Sequence, residues 1–475
     1  MHKLLTIGFL LVSICVNAQT GVKQKVGNYL IEKMEQFQIP GIALVVLKNN
    51  VIVNESSYGF SNLDHKVAVT SNTVFPIASM DKQITATCVM MLYEQGKLKL
   101  TDSISQFLDS VPATWNKIQI KHLLSHTSGL PDEVPEYYNE RYLISYSTNE
   151  LLQNIKNQEL QFQAGQNWLY SDANFFLLQL IVEKVSGMSF GDFLKMKILE
   201  PLEMTSTQTI NPKNNIHNRT TSYYKNDDGE IIINTYRSID FGPLYNDIGT
   251  TISDFAKYDN AINTNKLLKQ ETYHLMWTPF VLNNGNSVSN FIAEGTLSSA
   301  DASYGFAWAI RKFKNHRVIY HSGWTGTAIT KLPDDSLTVI LFTNLTGGFS
   351  PDNLARHVAA LYSPESFYPD MPAIKDPSPL TTLFVREQIS KMSSGTFDST
   401  AFTSTYRENL PTALAKFSIS TKTLGAFQSL EFIGNEKITG KKAILFYKAS
   451  YTNGILYYQI TMIDGKKIDF ISVDR

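Results

Sequence analysis

The spacing of apolar positions changes several times along the chain, and each change marks an element. Val22, Val26, Leu30, Met34 and Phe37 recur near helical spacing and predict a helix over 22–37. Two apolar runs, Ile42–Leu47 and Val51–Val53, flank Asn49-Asn50 and predict a hairpin. A helical middle follows, from about Ser79 to Pro201. Within it Ile84, Cys88, Met91, Leu92 and Gln95 define one face of a helix that Gly96 stops. Extended segments return at Phe306–Phe313, Val318–His321 and Leu337–Asn344, and Asp352–Tyr362 reads as a closing helix. Strands at both ends with helices between predict an α+β domain whose antiparallel sheet joins N- and C-terminal strands beside a helical cluster.

The pattern then breaks. Pro364, Pro369, Pro372, Pro377 and Pro379 are five of the chain's 17 prolines and mark a linker over 364–379. Residues 380–475 read as a small α+β accessory domain. One or two helices precede strand-like runs at 428–438, 442–451, 455–463 and 466–474, separated by Thr439-Gly440, Asn453-Gly454 and Asp464-Gly465. Asn-Gly and Asp-Gly are strong two-residue hairpin turns, so these runs predict an antiparallel meander. Phe446, Tyr447, Tyr451, Tyr457 and Tyr458 fall near period two and read as one packed sheet face.

The first residues read as a targeting signal. His2 and Lys3 give a short polar start, Leu4–Val16 is an apolar run too short to span a bilayer, and Val16-Asn17-Ala18 suits cleavage. Residues 1–18 are therefore expected to be removed, leaving residues 19–363 as the main domain of a periplasmic or secreted protein. Ile14 stands before Cys15 where a lipoprotein signal wants a small residue, which disfavours a lipid anchor. No later stretch is apolar enough for a stable membrane span.

With 475 residues, 43% of them hydrophobic, the chain can bury a large core. Its 42 Lys+Arg against 43 Asp+Glu exclude the basic excess of a nucleic-acid binder and the acidic excess of a disordered chain. Two cysteines, Cys15 and Cys88, make neither a disulfide framework nor a thiolate zinc site.

The candidate chemistry lies at Ser79-Met80-Asp81-Lys82, where a helical pattern opens. Serine and lysine at i and i+3 share a helix face. A serine hydroxyl is a poor nucleophile until a neighbour takes its proton, and a desolvated lysine has the lowered pKa to do so. A helix N-terminus also offers free N–H groups to an oxyanion. Alone, the pattern is weak and reads more readily as an ordinary capping serine beside an exposed lysine. Ser222-Tyr223-Tyr224-Lys225 matches it too and is assigned no role.

The flanks decide. FPIASMDKQITATCVMMLYEQGKLKLTDSISQFL (75–108), IKHLLSHTSGLP (120–131), FQAGQNWLYSDANFFLLQLIVEKVSGMSF (162–190), PLEMTST (201–207), DIGTTISDFAKY (247–258) and HSGWTGT (321–327) occur in the order of one family. Over about residues 20–362 the chain resembles the class C β-lactamase-like serine hydrolases of the β-lactamase and penicillin-binding protein group. That group includes esterases, D-aminopeptidases and D-alanyl-D-alanine carboxypeptidases. The resemblance implies a β-lactamase/transpeptidase-like fold. It also implies an acyl-serine at Ser79, with Lys82 and Tyr170 managing its proton. It assigns the backbone N–H groups of Ser79 and Trp324, the latter after Gly323, to the oxyanion hole.

Two departures matter. The family's Tyr-x-Asn is Tyr170-Ser171-Asp172 here, after Ala164-Gly165 in place of Pro-Gly; the literal matches at Tyr137, Tyr258 and Tyr451 lie outside the family's flanks. A carboxylate at 172 should raise the Lys82 pKa, shift proton work to Tyr170 and disfavour substrates with a carboxylate beside the scissile bond. The family's Lys-Thr-Gly is His321-Ser322-Gly323, and a partly charged imidazole holds a carboxylate less well than an ammonium.

The expected activity is hydrolysis of an ester, a D-amino-acid peptide or amide, or a peptidoglycan-like substrate. The alternatives are a β-lactamase proper, or a non-catalytic penicillin-binding-like sensor or binding module of the cell envelope. No metal or organic cofactor, nucleic-acid partner or particular oligomeric state is called for. His122 and His126 stand one helical turn apart, but no third ligand accompanies them and they read as structural. Cys88 reads as a core thiol.

Overall fold

The computed structural model describes residues 21–131, 147–210, 215–226, 228–234, 247–288, 303–313, 316–364, 373–407, 421, 424–437 and 442–474. The proposed signal and the Thr439-Gly440 turn lie outside them. The described chain divides into two units. One holds the described residues of 21–288, 303–310 and 316–363, and the other those of 311–313 and 364–475.

The eight-stranded sheet is organised around Gly41–Lys48, whose run of β-branched and aliphatic residues is buried on both faces. Asn49 and Asn50 take φ of 51° and 62°, which lets the chain turn at once into Val51–Asn62. On its other edge Gly41–Lys48 pairs antiparallel with Leu337–Thr343, Val46 opposite Val339. Thr327–Leu332 and His316–Gly323 follow in the same sheet. N- and C-terminal strands therefore do share one sheet.

Helices cover that sheet. Ile252–Asn263 packs on Gly41–Lys48 and Leu337–Thr343, with Ala43, Val45, Phe255, Ile262, Ile340 and Phe342 in one core. Pro351–Tyr362 packs on Thr327–Leu332 and Leu337–Thr343. The Asp81–Glu94 helix differs from the expectation of one apolar face: every residue from Asp81 to Leu92 is buried. It runs against the Asp172–Ser186 helix inside the cluster, so its polar side is enclosed as well. Phe306–Phe313 also departs from expectation. Ala307 takes φ +63°, and the extended stretch splits into Ser303–Tyr304 and Ala309–Phe313.

In the second unit Phe427–Lys437, Lys442–Tyr451, Gly454–Ile463 and Lys467–Asp474 form an antiparallel meander in chain order. Val385, Ile389 and Met392 of the Pro379–Ser393 helix share its core. Tyr451 pairs with Gly454, so the tight loop is Thr452-Asn453 and not Asn453-Gly454. The segment before Phe427 imposes that shift: Thr452 N–H donates to Ala426 O and Asn453 N–H to Leu424 O. The five aromatics do not share a face. Tyr447, Tyr451 and Tyr458 enter the core, while Phe446 and Tyr457 occupy alternate positions pointing the other way.

Candidate active site

Ser79 sits on a bend. Phe75–Pro76 pairs with Ile248–Thr250, and Ile77 N–H donates to Ile248 O at 3.0 Å. Ala78 then takes φ +45°, a left-handed conformation that costs a non-glycine residue about 1–2 kcal/mol. The Ala78 N–H donates to Asp247 Oδ1 at 3.2 Å. One 3-10 turn, Ala78–Met80, leads straight into the Asp81–Glu94 helix.

The end of strand His316–Gly323 is fastened against this bend. Thr325 Oγ1 donates to Pro76 O at 2.7 Å and Thr327 Oγ1 to Ile77 O at 3.0 Å. A Cβ at Gly323 would lie 2.2 Å from Ile77 O, so only glycine permits the approach. Trp324 follows with its side chain 59% exposed. Among the described residues, neither the Ser79 nor the Trp324 N–H has a protein acceptor.

Lys82 Nζ lies 3.0 Å from Ser79 Oγ and 2.7 Å from Asp172 Oδ1. It also sits 5.1 Å from the Tyr170 ring centroid and 5.8 Å from that of Phe175. Burial alone would lower the Lys82 pKa. The Asp172 carboxylate, with smaller contributions from Tyr170 and Asp81, outweighs that and holds it well above its ordinary value. Lys82 is therefore an ammonium at rest. Tyr170 is a neutral phenol at rest because burial pushes its pKa up, against the pull of Lys82 and Ser79 beside its oxygen. Asp81 is pushed up by burial and by Asp247 and Asp172, with Lys82 opposing.

Behind Tyr170 lie two neutral imidazoles. His321 Nε2 is 3.1 Å from Tyr304 Oη and Nδ1 is 2.9 Å from Ser322 O. Nδ1–H therefore donates to the carbonyl and Nε2 accepts from the phenol. Burial and then Lys82 push the His321 pKa down to about 4. His126 stacks on Tyr170 with centroids 4.2 Å apart, and its Nδ1 faces the Ser171 N–H at 3.1 Å. Burial, Lys82 and His321 hold it well below its ordinary pKa.

The structure thus brings Ser79, Lys82, Tyr170 and Asp172 together and sets Gly323 and Trp324 at the strand end beside them. His321 lies beneath the site as a packed neutral group. The sequence reading missed three contributors. Asp247 and Tyr304 carry no local signal, although Asp247 is the first residue of the family-like stretch 247–258. His126 reads from the sequence as structural, and its place against Tyr170 and Ser171 has no signal there. His122 closes the Ile120–Leu124 helix cap, its Nδ1 accepting from Gln119 N–H at 3.1 Å. Ser222 is buried at a strand edge while Lys225 is exposed. Tyr258 bonds Thr87 in the core at 2.9 Å.

A strained serine bend at a helix start, with a lysine in reach and a sheet edge against it, defines a β-lactamase/transpeptidase-like serine site. The Beta-lactamase family model matches residues 26–363, and the chain belongs to that family. Its members are serine hydrolases. A penicillin-binding protein of Bacillus subtilis (strain 168) is 26% identical over 328 residues, 65% of this chain and 69% of its own length. The octameric penicillin-binding protein homologue from Pyrococcus abyssi superposes with a TM-score of 0.62 at 19% identity, covering 95% of this chain and 99% of that one. EstCE1, described as a hydrolase with promiscuous acyltransferase activity, gives 0.61 at 19% identity over 74% and 100% of the two chains. At these identities the two structures speak for the fold.

Proposed function

We propose that the protein is an exported hydrolase of esters or D-amino-acid peptides and amides that works through an acyl-serine at Ser79. The observation that carries this is the 3.0 Å contact of Lys82 Nζ with Ser79 Oγ on a strained bend. Because Lys82 is an ammonium and Tyr170 a phenol at rest, the proton moves in a relay. Ser79 Oγ attacks the carbonyl carbon as its proton passes to Tyr170 Oη. Tyr170 gives its own proton to the leaving atom as that bond breaks, so neither group needs to ionise first. Lys82 steadies the charge on both oxygens, and the Ser79 and Trp324 amides receive the oxyanion. Water then releases the acyl group by the same relay in reverse. The layout proposed is a signal over 1–18, a hydrolase domain over 19–363, a linker over 364–379 and an accessory domain over 380–475.

A second reading is a sensor that acylates without release, and the Lys82 ammonium favours it. Turnover of p-nitrophenyl acetate and nitrocefin, compared between wild type and Ser79→Ala with intact mass, separates the two. Repeated Ser79-dependent ester turnover with little nitrocefin hydrolysis supports the proposal. A persistent mass adduct without turnover supports the sensor. Fast nitrocefin turnover makes the protein a β-lactamase. No turnover and no adduct in folded protein refute the serine mechanism.

A further inference from the structure

One residue fastens Tyr170 at three points. His126 O accepts the Leu169 N–H at 3.0 Å, and His126 Nδ1 accepts the Ser171 N–H at 3.1 Å, so the main chain is fixed on both sides of Tyr170. The His126 ring stacks on the Tyr170 ring. His126 is itself fully buried and takes φ +56°, a left-handed conformation that any residue with a side chain adopts at a cost.

The bond to Ser171 depends on where the His126 proton sits. A main-chain N–H can only donate, so Nδ1 keeps its lone pair and the proton of the neutral ring lies on Nε2. Nδ1 also lies 3.1 Å from Asn174 Nδ2, and Asn174 Oδ1 accepts from Ser128 Oγ at 2.6 Å. The Ser128 hydroxyl in turn accepts the Leu130 N–H at 3.0 Å. The Asn174 amide cannot turn over, because its oxygen would then face the Nδ1 lone pair. Ser128 and Asn174 are buried as well, away from competing solvent. The opposite tautomer would leave two donors, on Ser171 and Asn174, facing an N–H. The tautomer present leaves one, the buried Nε2–H, which has no partner among the described residues.

We propose that His126 is a positioning residue for Tyr170, and that the Ser128–Asn174 pair sets its tautomer, keeping Nδ1 an acceptor so that Tyr170 Oη is held in place for the proton relay. This rests on the relay read above for Ser79. His126 acts through the ring and main chain of Tyr170 and exchanges no proton itself. Asn174, in the first turn of the Asp172–Ser186 helix, is thereby tied to the chemistry without touching substrate.

The test sets Asn174→Asp against Asn174→Ala. Aspartate has the shape of asparagine but no N–H to give, so Nδ1 takes up a proton to donate to it and Ser171 loses its acceptor. Alanine leaves a space, yet it also leaves the Nδ1 lone pair to Ser171. The kcat for p-nitrophenyl acetate should therefore fall on the order of 100-fold in Asn174→Asp and by less than about tenfold in Asn174→Ala, with KM within about twofold of wild type in both. A role in packing alone predicts the reverse order, since alanine is the larger change of shape. Nitrogen-15 spectra of histidine-labelled protein supply a second readout. Nδ1 of His126 should be bare in the wild type and in Asn174→Ala, and protonated in Asn174→Asp. Should Asn174→Asp fail to fold, Ser128→Ala, which frees the amide to turn, should move the Nδ1 signal toward the protonated position and lower kcat. A protonated Nδ1 in the wild type, a kcat in Asn174→Asp at or above that of Asn174→Ala, or a Ser128→Ala protein in which neither quantity moves overturns the proposal, while Ser79-dependent turnover leaves the hydrolase reading intact. No Ser79-dependent turnover in the folded wild type removes both.

Discussion

Gly323→Ala probes how closely the sheet edge and the Ser79 bend must be held. The new methyl would lie 2.2 Å from Ile77 O and 2.4 Å from Thr327 Oγ1, whereas ordinary contact begins near 3.4 Å. The neighbours are a backbone oxygen and a hydroxyl already bonded to it, so neither can swing aside. Strand and bend must part by about 1 Å, a misplacement that costs about 100-fold in rate when it falls between reacting groups. The overpacking itself should cost about 1–3 kcal/mol of stability. The assay is kcat for p-nitrophenyl acetate at a temperature well below the melting midpoint of each variant, so that loss of geometry is read apart from unfolding. Gly191→Ala is the control. That glycine lies in the Phe190–Leu194 helix, its nearest neighbour would be 3.7 Å from the new methyl, and alanine there should gain roughly 0.5–1 kcal/mol. A Gly323→Ala enzyme with kcat within about twofold of wild type would refute the claim that this separation is fixed.

Three further outcomes follow from the geometry. Tyr170→Phe keeps the ring on His126 but removes the relay oxygen, so its melting midpoint should stay near wild type while kcat falls by about 100-fold or more; unchanged kcat would remove Tyr170 from the relay. Burial and the Lys121 charge push His122 down to about 4 from 6.5, so only the unfolded chain takes up its proton between those values. The contribution of His122 is complete above about pH 6.5 and is lost as pH falls toward 4. His122→Asn, whose oxygen can accept from Gln119 in place of Nδ1, should therefore recover up to about 3 kcal/mol at pH 4, and parallel acid melting curves for the two proteins would contradict this. Lys331 and Asp259 form a buried ion pair, so Lys331→Met should cost about 3–5 kcal/mol, and adding Asp259→Leu should restore much of it; additive losses would show that the pair is not the source.

What the chain's pattern disclosed was mostly local. Asn49-Asn50 and Asp464-Gly465 turn where expected because their left-handed conformations are properties of those residues. The turn expected at Asn453-Gly454 lies one residue earlier because the Thr452 and Asn453 N–H groups donate to the carbonyls of Ala426 and Leu424, distant from any pattern at 453, and these bonds set the register. The same division holds in the site. Ser79 and Lys82 share a helix face by spacing, and a carboxylate at 172 in place of asparagine itself implies a protonated lysine. Asp247, Tyr304 and His126 reach the site from loops and short strands whose composition says nothing about their destination. The Asp81–Glu94 helix looked one-sided because a hydrophobicity pattern cannot register that Thr85, Thr87 and Gln83 are also enclosed.

The two threonine bonds that fasten the sheet edge to the serine bend span 249 and 250 residues of sequence. Contacts of that reach form late in folding, since the loop they close must be ordered first. A nascent chain that has emerged only through residue 190 already contains Ser79, Lys82, Tyr170 and Asp172, yet it has nothing to seat them against. The nucleophile is assembled by the arrival of the C-terminal strands, which makes catalytic competence a timer for chain completion. A ribosome-bound or truncated chain of this family should accordingly be harmless to the acyl groups around it until the last strands of its sheet have docked.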